Sequence, residues 1–316
     1  IMLQVVQPLS VGAPHGRIWC SKPSPGNQGL VSVLQTPSSK FSSSVKKSSF
    51  TTVAVSSKTE YIATVDNKGN VYVFNIKHNR YNCIDRTSSA GTCASFKELG
   101  VRTLFVAFED CSIKCYDVAK GTVLGVILEH RCPVRYMRVN EQRNEILTTS
   151  VDGVRIWDTA RLERKRMLGS GPYGAHQAVY SPSGSSIMTC FKDGSFYLYD
   201  SSTFDLLKSF TLPADPMIRS LQRRFAATSD GLYFVSGGPT PLLFVYSMIT
   251  CVLQYALELP YDPRVGPAGG AVQDMFFMPD STVLVVLCGD GHVRFVAVPD
   301  GTLVMELDCE ADVEYG

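Results

Sequence analysis

Residues 145–158 read EILTTSVDGVRIWD. A short apolar run, 145–150, meets a turn at Asp152 and Gly153, and a second run, VRIWD, closes on Trp157 and Asp158. Runs of this length, rich in β-branched and aromatic residues and joined by turn residues, are strand chemistry. The pattern returns along the chain. Third-strand segments of the same kind are VYVFN (71–75), IKCYD (113–117), VRIWD (154–158), FYLYD (196–200), LFVYS (243–247) and VRFVA (293–297). Their last residues are Asn75, Asp117, Asp158, Asp200, Ser247 and the apolar exception Ala297, spaced by 42, 41, 42, 47 and 50 residues. The turn before the third strand holds Asp66, Asp110, Asp152, Asp193 and Asp290, and the fifth unit has Gly-Gly-Pro (237–239) instead. An Asp in that place accepts backbone N–H groups and tolerates the tight bend.

A unit of four strands repeating at about 40–45 residues is the signature of a Trp-Asp-repeat (WD-repeat) β-propeller. The expected fold class is therefore all-β, with six recognisable blades. The second-strand runs, such as TLFVAF and EILTTS, are apolar nearly throughout, as in strands buried on both faces. No stretch of a dozen residues keeps an apolar stripe at helical spacing with caps.

Four-stranded units organise 50–316. Residues 1–49 read differently: rich in Pro, Gly and Ser, with one possible closing strand at 28–36 and a serine-rich linker at 37–50. The last residues, ADVEYG (311–316), read as the opening of another unit. Propellers close by pairing an early strand with the last blade, because an open ring leaves bare sheet edges. The expectation is a seven-bladed parent whose last blade is missing or incomplete here.

Blade three carries His130, Ser150, Asp152, Trp157 and Asp158. A His, a hydroxyl, a turn Asp and a Trp can form one hydrogen-bonded chain that stiffens a blade. Polar groups buried together must satisfy one another, so this set reads as structural rather than as a catalytic base with its partners.

Thirty basic residues against 29 acidic give a net charge of +1, which calls for neither nucleic acid nor an anionic membrane. The apolar run TVLVVLC (282–288) is far too short to span a bilayer. The ten cysteines are irregularly spaced and read as reduced thiols of a cytoplasmic protein. Cys111 and Cys115 form a C-x-x-x-C pair with no second pair or histidine to complete a zinc site, so no metal and no cofactor is expected. Gly169, Gly171 and Gly174 match G-x-G-x-x-G, but a strand-like AHQAVY follows where a dinucleotide site needs a helix. The basic runs Arg161–Arg166 and Arg223-Arg224 read as solvated faces, with docking to an acidic partner, such as an acidic tubulin tail, as the alternative.

Several stretches resemble the amino-terminal Trp-Asp-repeat region of a TBC1-domain family: GRIWCSKPSP (16–25), GNVYVFNIKHNRYN (69–82), SIKCYD (112–117), RKRMLG (164–169) and TCFKDGSFYLYD (189–200). The resemblance implies a longer parent with a seventh repeat, a TBC (Rab-GTPase-activating-type) domain and a coiled-coil tail. It also implies association with centrosomes, centriolar satellites and the base of cilia. The I-x-x-D-x-x-R and Y-x-Q motifs of active TBC domains do not occur in residues 1–316. Tyr116, Tyr199 and Phe74 stand where the repeat usually has Trp, which is expected to weaken the polar chain in those blades.

The expected function is a non-enzymatic protein–protein docking platform with centrosomal or ciliary partners and no small-molecule substrate. The expected binding face carries the turns before the third strands and the inter-blade loops, with Asp66, Lys68, Asp110, Arg131, Lys192, Asp193 and Asp290. Arg131 with Lys192 is the expected hot spot, flanked by Asp110 and Asp193. An enzyme in the channel mouth and a nucleic-acid-binding propeller are the alternatives.

Overall fold

The computed structural model describes residues 18–20, 31–34, 50–56, 60–78, 80–169, 174–181, 183–211, 224–228, 230–261, 266, 269–278, 282–298 and 300–308. Most of the serine-rich 37–50, Gly171, Arg223 and the closing 311–316 lie outside the described residues.

Six four-stranded antiparallel sheets follow one another, each built from strands consecutive in the chain. Blade one is Phe50–Val55, Tyr61–Asp66, Asn70–Asn75 and Arg80–Arg86. Blade two is Gly91–Lys97, Thr103–Phe108, Ile113–Asp117 and Thr122–Ile127. Blade three is Val134–Asn140, Glu145–Ser150, Gly153–Asp158 and Arg164–Leu168. Blade four is Ala175–Tyr180, Ser186–Phe191, Ser195–Asp200 and Leu206–Thr211. Blade five is Arg224–Ala227, Tyr233–Gly237, Leu242–Ser247 and Leu253–Glu258. Blade six is Val272–Phe277, Val283–Cys288, His292–Ala297 and Leu303–Asp308. No helix occurs among the described residues. This is the all-β, six-bladed Trp-Asp-repeat propeller fold that the repeat spacing predicts. Within the segment read as one possible closing strand, Val31–Leu34 pairs antiparallel with Ile18–Cys20.

The chain divides into two compact units, 1–167 and 168–316. In both, burial follows position within the blade. Second strands are buried almost throughout, as in Thr103–Phe108 and Glu145–Ser150, because each lies between the apolar faces of its neighbours. Fourth strands are largely exposed, as in Arg164–Leu168 and Leu206–Thr211.

The core of the first unit includes two inter-blade clusters beside the Ile62–Tyr72–Phe74 cluster of blade one. Val65, Val71, Leu104, Val106 and Tyr116 pack between blades one and two, and Phe105, Ile113, Met137, Ile146 and Trp157 between blades two and three. Polar bridges supplement them: Arg102 pairs with Glu60 at 2.9 Å, and Thr92 Oγ1 donates to Val134 O at 2.6 Å. In the second unit Phe196, Phe225, Phe234 and Tyr246 form the cluster of blades four and five. There the Gln177 side chain accepts from Phe225 N at 2.9 Å and donates to Phe225 O at 3.1 Å, taking the place of a ladder partner.

Third strands end in a common turn. Asp117 Oδ1 accepts Ala119 N and Lys120 N at 2.9 and 3.0 Å. Asp158 Oδ1 accepts Ala160 N and Arg161 N at 2.8 and 3.0 Å. Asp200 Oδ1 accepts Ser202 N and Thr203 N at 2.7 and 2.9 Å. Asn75 accepts His78 N, and Ser247 accepts Ile249 N and Thr250 N. The turn then closes through a left-handed residue: Gly121, Leu162, Phe204, Cys251 or Gly301, with φ of 66°, 58°, 62°, 60° and 76°. Ala297, which has no polar side chain, is followed by Asp300, whose Oδ1 accepts Thr302 N at 3.1 Å. The acid at the end of the repeated segment is thus a turn cap that satisfies backbone donors.

Connections between blades differ in length. Blades one to four are joined by short links, such as the one from Arg86 to Gly91. Longer segments separate Thr211 from Arg224 and Glu258 from Val272, which accounts for the two larger repeat spacings.

Candidate functional site

The turns before the third strands all hold their aspartates in place, by different means. In blade one Asp66 is fully buried: Oδ1 accepts Lys68 N at 2.9 Å and Asn70 N at 2.8 Å, and Oδ2 accepts Asn70 Nδ2 at 2.7 Å. Asp110 Oδ1 takes Ser112 N at 3.0 Å and Ser112 Oγ at 2.6 Å. Asp193 Oδ1 takes Ser195 N at 3.0 Å and Ser195 Oγ at 2.5 Å. These carboxylates are occupied with their own turns. Asp110 is itself exposed and Asp193 half-buried, and beside the turn aspartates Lys68, Glu109, Arg131 and Lys192 are exposed.

Blade three is the most polar inside. His130 Nδ1 meets Asp152 Oδ1 at 2.9 Å, and His130 Nε2 meets Thr148 Oγ1 at 2.8 Å. Trp157 Nε1 donates to the same Thr148 oxygen at 2.8 Å. With the proton on Nδ1, three donors run in one direction: Trp157 to Thr148, Thr148 to His130, His130 to Asp152. The hydroxyl in this chain is therefore Thr148. Ser150, expected in that place, donates instead to Cys132 O at 2.9 Å and fastens the loop entering the blade. Asp158 caps the following turn and takes no part in the chain. The His130 and Trp157 rings lie 5.8 Å apart, tilted by 56°.

Arg155 is the member that the sequence reading missed. It is buried, its Nη2 lies 2.9 Å from Asp152 Oδ2, and its Nη1 contacts His130 Nδ1. An Arg inside an apolar third strand was the available signal, since a buried guanidinium demands a carboxylate. Burial lowers the His130 pKa; Asp152 opposes the shift, and Arg155 adds to it, so the ring is neutral. Asp152 is held well below the ordinary carboxylate range: burial works against ionisation, but Arg155, Arg131 N–H and His130 outweigh it.

Blade six repeats the fork without the Trp. Arg294, 2% exposed, donates from Nη1 to Asp290 Oδ1 at 3.1 Å and from Nη2 to Asp290 Oδ2 at 2.7 Å, and reaches Glu306 at 2.8 Å. Where Tyr or Phe replaces Trp, the bonding is redirected. Tyr116 OH donates to Asp85 Oδ2 of blade one at 2.8 Å, beside Lys114 Nζ at 2.9 Å. Phe74 stacks on Tyr81 at 5.5 Å, and Tyr199 on Tyr197 at 6.4 Å.

Among the expected hot-spot residues, Arg131 belongs to the first unit and Lys192 to the second. Arg131 is exposed, and its N–H is held by Asp152 Oδ2 at 2.8 Å. Lys192 is exposed, with its N–H on Gly174 O at 3.0 Å. Both side chains project from backbone that is fastened on a rigid turn.

Among the described residues no group of three His, Cys, Asp or Glu side chains could hold a metal. Cys111 lies in a turn with φ of 70°, whereas Cys115 is in the third strand of blade two, so the C-x-x-x-C pair is not a pair on one strand face. Burial raises the Cys115 thiol to about 11 and the Cys93 thiol to about 12, leaving both protonated. Gly174 leads directly into the strand Ala175–Tyr180, not into a helix. No described helix is long and apolar enough to cross a membrane.

Comparison with known proteins agrees with this architecture. No family model matches the chain. It is 30% identical to TBC1 domain family member 31 of Homo sapiens over 301 residues, covering 92% of this chain and 27% of that protein. The Mus musculus protein of the same name is 30% identical over 92% of this chain and 29% of its own length, and the Xenopus laevis protein 28% over 93% and 27%. The chain thus spans under a third of the length of these relatives. In fold it is similar to a chain in the crystal structure of the mitotic checkpoint complex, with a TM-score of 0.68 and 15% identity over 81% of this chain and 76% of that one. The chain is a Trp-Asp-repeat β-propeller whose sequence resembles, along nearly its whole length, part of TBC1 domain family member 31.

Proposed function

We propose that this chain is a non-enzymatic protein-docking domain of a TBC-domain protein acting at the centrosome, its satellites or the ciliary base. The observation that carries the reading is the treatment of polar groups at the blade turns. The turn carboxylates are occupied by their own turns and His130 is spent inside blade three, while charged side chains beside them point outward from fastened backbone. A general base must reach its substrate. The His130 side chain is 0% exposed and bonded at both ring nitrogens, so it stiffens the blade. The sequence likeness to TBC1 domain family member 31 supports the centrosomal setting, and the near-neutral charge favours protein partners over nucleic acid. GTPase activation would belong to a part of the parent outside these residues.

The docking residues are Arg131 on the first unit and Lys192 on the second, with Asp110 and Asp193 as neighbours on their respective turns. The test is affinity capture from ciliated-cell lysate with the wild-type chain, Arg131→Glu, Lys192→Glu and the double variant. Recovery of centrosomal or satellite proteins by wild type and its loss in the double variant is the expected result. Equal recovery by all four would remove the turn face from the reading. No centrosomal protein in any capture would remove the centrosomal setting.

A further inference from the structure

Among the described residues the fourth strand of each blade has a strand neighbour on one side only, leaving a row of N–H and C=O groups able to pair with another chain. Charges usually discourage such pairing. Five of these strands carry them: Arg80, Asp85 and Arg86 in blade one, Arg164, Lys165 and Arg166 in blade three, Lys208 in blade four, Glu258 in blade five, and Glu306 and Asp308 in blade six. The fourth strand of blade two, Thr122–Ile127, reads TVLGVI and carries none. The edges of blades four and six also expose apolar side chains, but beside Lys208 or Glu306; here Val123, Leu124 and Val126 are 46%, 52% and 44% exposed with no charge in the strand, and Leu128 just beyond it is 74% exposed.

Its flank is basic. Leu162, in the last turn of blade three, packs on Gly125, and Arg164 pairs with Glu129 at 2.8 Å, so the charged outer strand of blade three lies beside this edge. Arg164 is engaged by Glu129, and Lys165 by Glu145 and Asp158. Arg161 and Arg166 are exposed and their side chains have no carboxylate partner among the described residues, with Glu163 the acid in the same run. Lys120, 75% exposed, stands at the start of the strand with only Asp117 at 3.8 Å.

We propose that Thr122–Ile127 is a docking edge that accepts, by strand addition, an extended acidic segment of a partner protein, with apolar side chains alternating with Asp or Glu. The main-chain ladder would supply affinity, and alternate side chains would meet the apolar strip and the basic flank. A second copy of this chain is disfavoured as occupant, because an edge-to-edge pair would bring two basic flanks together. This edge is distinct from the turn face bearing Arg131 and stands whether or not that face binds anything.

The probe is a fluorescein-labelled synthetic octapeptide of alternating Val and Glu, measured by anisotropy against the full 316-residue chain. The Val–Lys octapeptide and a Val–Glu octapeptide N-methylated at alternate residues are controls. The Val–Glu peptide should bind at least about tenfold more tightly than either control, with binding weakened by added salt. Val126→Glu with Leu124→Glu, both exposed positions, should abolish it, and Arg131→Glu should leave it unchanged. Equal binding of the acidic and basic peptides, or no effect of N-methylation or of the glutamate variants, would overturn the proposal. Concentration-dependent dimerisation in sedimentation that the glutamate variants abolish would overturn it in favour of a second copy.

Discussion

Blades three and six place a buried arginine against the turn aspartate, yet complete the arrangement in different ways. In blade three Arg155 shares Asp152 with His130, and the chain continues through Thr148 to Trp157. In blade six Arg294 grips Asp290 with both nitrogens, the His292 ring lies 3.4 Å from the same carboxylate, and Val296 stands in the position of the Trp. The difference teaches that the invariant requirement is electrostatic. A carboxylate drawn into the blade must be matched by donors, and either a neutral His–Thr–Trp chain with a guanidinium or a guanidinium without that chain meets that need.

The sharpest way to break the comparison is to remove the arginine that has no such chain beside it. Arg294→Met should cost about 3–5 kcal/mol, because the buried Asp290 carboxylate is left with only its own turn and the His292 ring beside it. Urea denaturation at neutral pH measures this. Adding Asp290→Asn should restore a large part of the loss, and a double variant no better than the single would show that packing, not charge, was at stake.

Within blade three, Thr148→Ala should cost about 2–3 kcal/mol, since it leaves both His130 Nε2 and Trp157 Nε1 without partners in the interior. Ser150→Ala removes a single bond to Cys132 O and should cost about 1 kcal/mol. The reverse order in the same denaturation series would mean that the chain runs through Ser150.

Acid should separate the two blades. The His130 pKa is lowered on folding from its ordinary 6.5, so below that pH the unfolded chain binds a proton that the folded one refuses. Stability should therefore fall as pH drops below about 6.5, and His130→Gln should flatten that portion of the curve. Asp152 and Asp290 are both held below their ordinary 3.8, so their contribution should persist to about pH 4 and fade only below it. A wild-type stability curve flat from pH 7 to 4.5 would contradict the neutral assignment of His130.

The smallest effect is a gain. The turns of blades one, four and six place Gly69, Gly194 and Gly291 at positive φ, whereas blade two has Cys111 there at 70°. Cys111→Gly should stabilise by up to about 1 kcal/mol, read as a rise in the thermal midpoint.

The repeat, the turn aspartates and the strand-ending acids could be read from sequence because backbone donors in tight turns ask for the same residues wherever the turn recurs. The inner route of the polar chain could not. Thr148 and Ser150 are both hydroxyl residues on one face of one strand, and only the register, with Thr148 opposite Arg155 and Ser150 opposite Gly153, decides which meets the imidazole. The tie from Tyr116 to Asp85 was hidden for a related reason, since it joins residues of different blades whose apposition no local pattern encodes. The uncharged strand TVLGVI was visible in the sequence, but its position at a sheet edge gives that lack of charge its meaning.

The uneven links between blades bear on how the molecule could be engineered. Among the described residues, and apart from the pair Ile18–Cys20 with Val31–Leu34, ladders form only between strands of the same blade. Lengthening a connection that is already long adds little closure entropy, since that term grows only with the logarithm of loop length. In the link from Glu258 to Val272, Leu259 and Gly269–Ala271 are buried and Gly269 O accepts Asp290 N at 2.8 Å, so an epitope tag, a protease site or a fluorescent reporter belongs near Gly266, where an added Cβ would meet nothing within 4 Å.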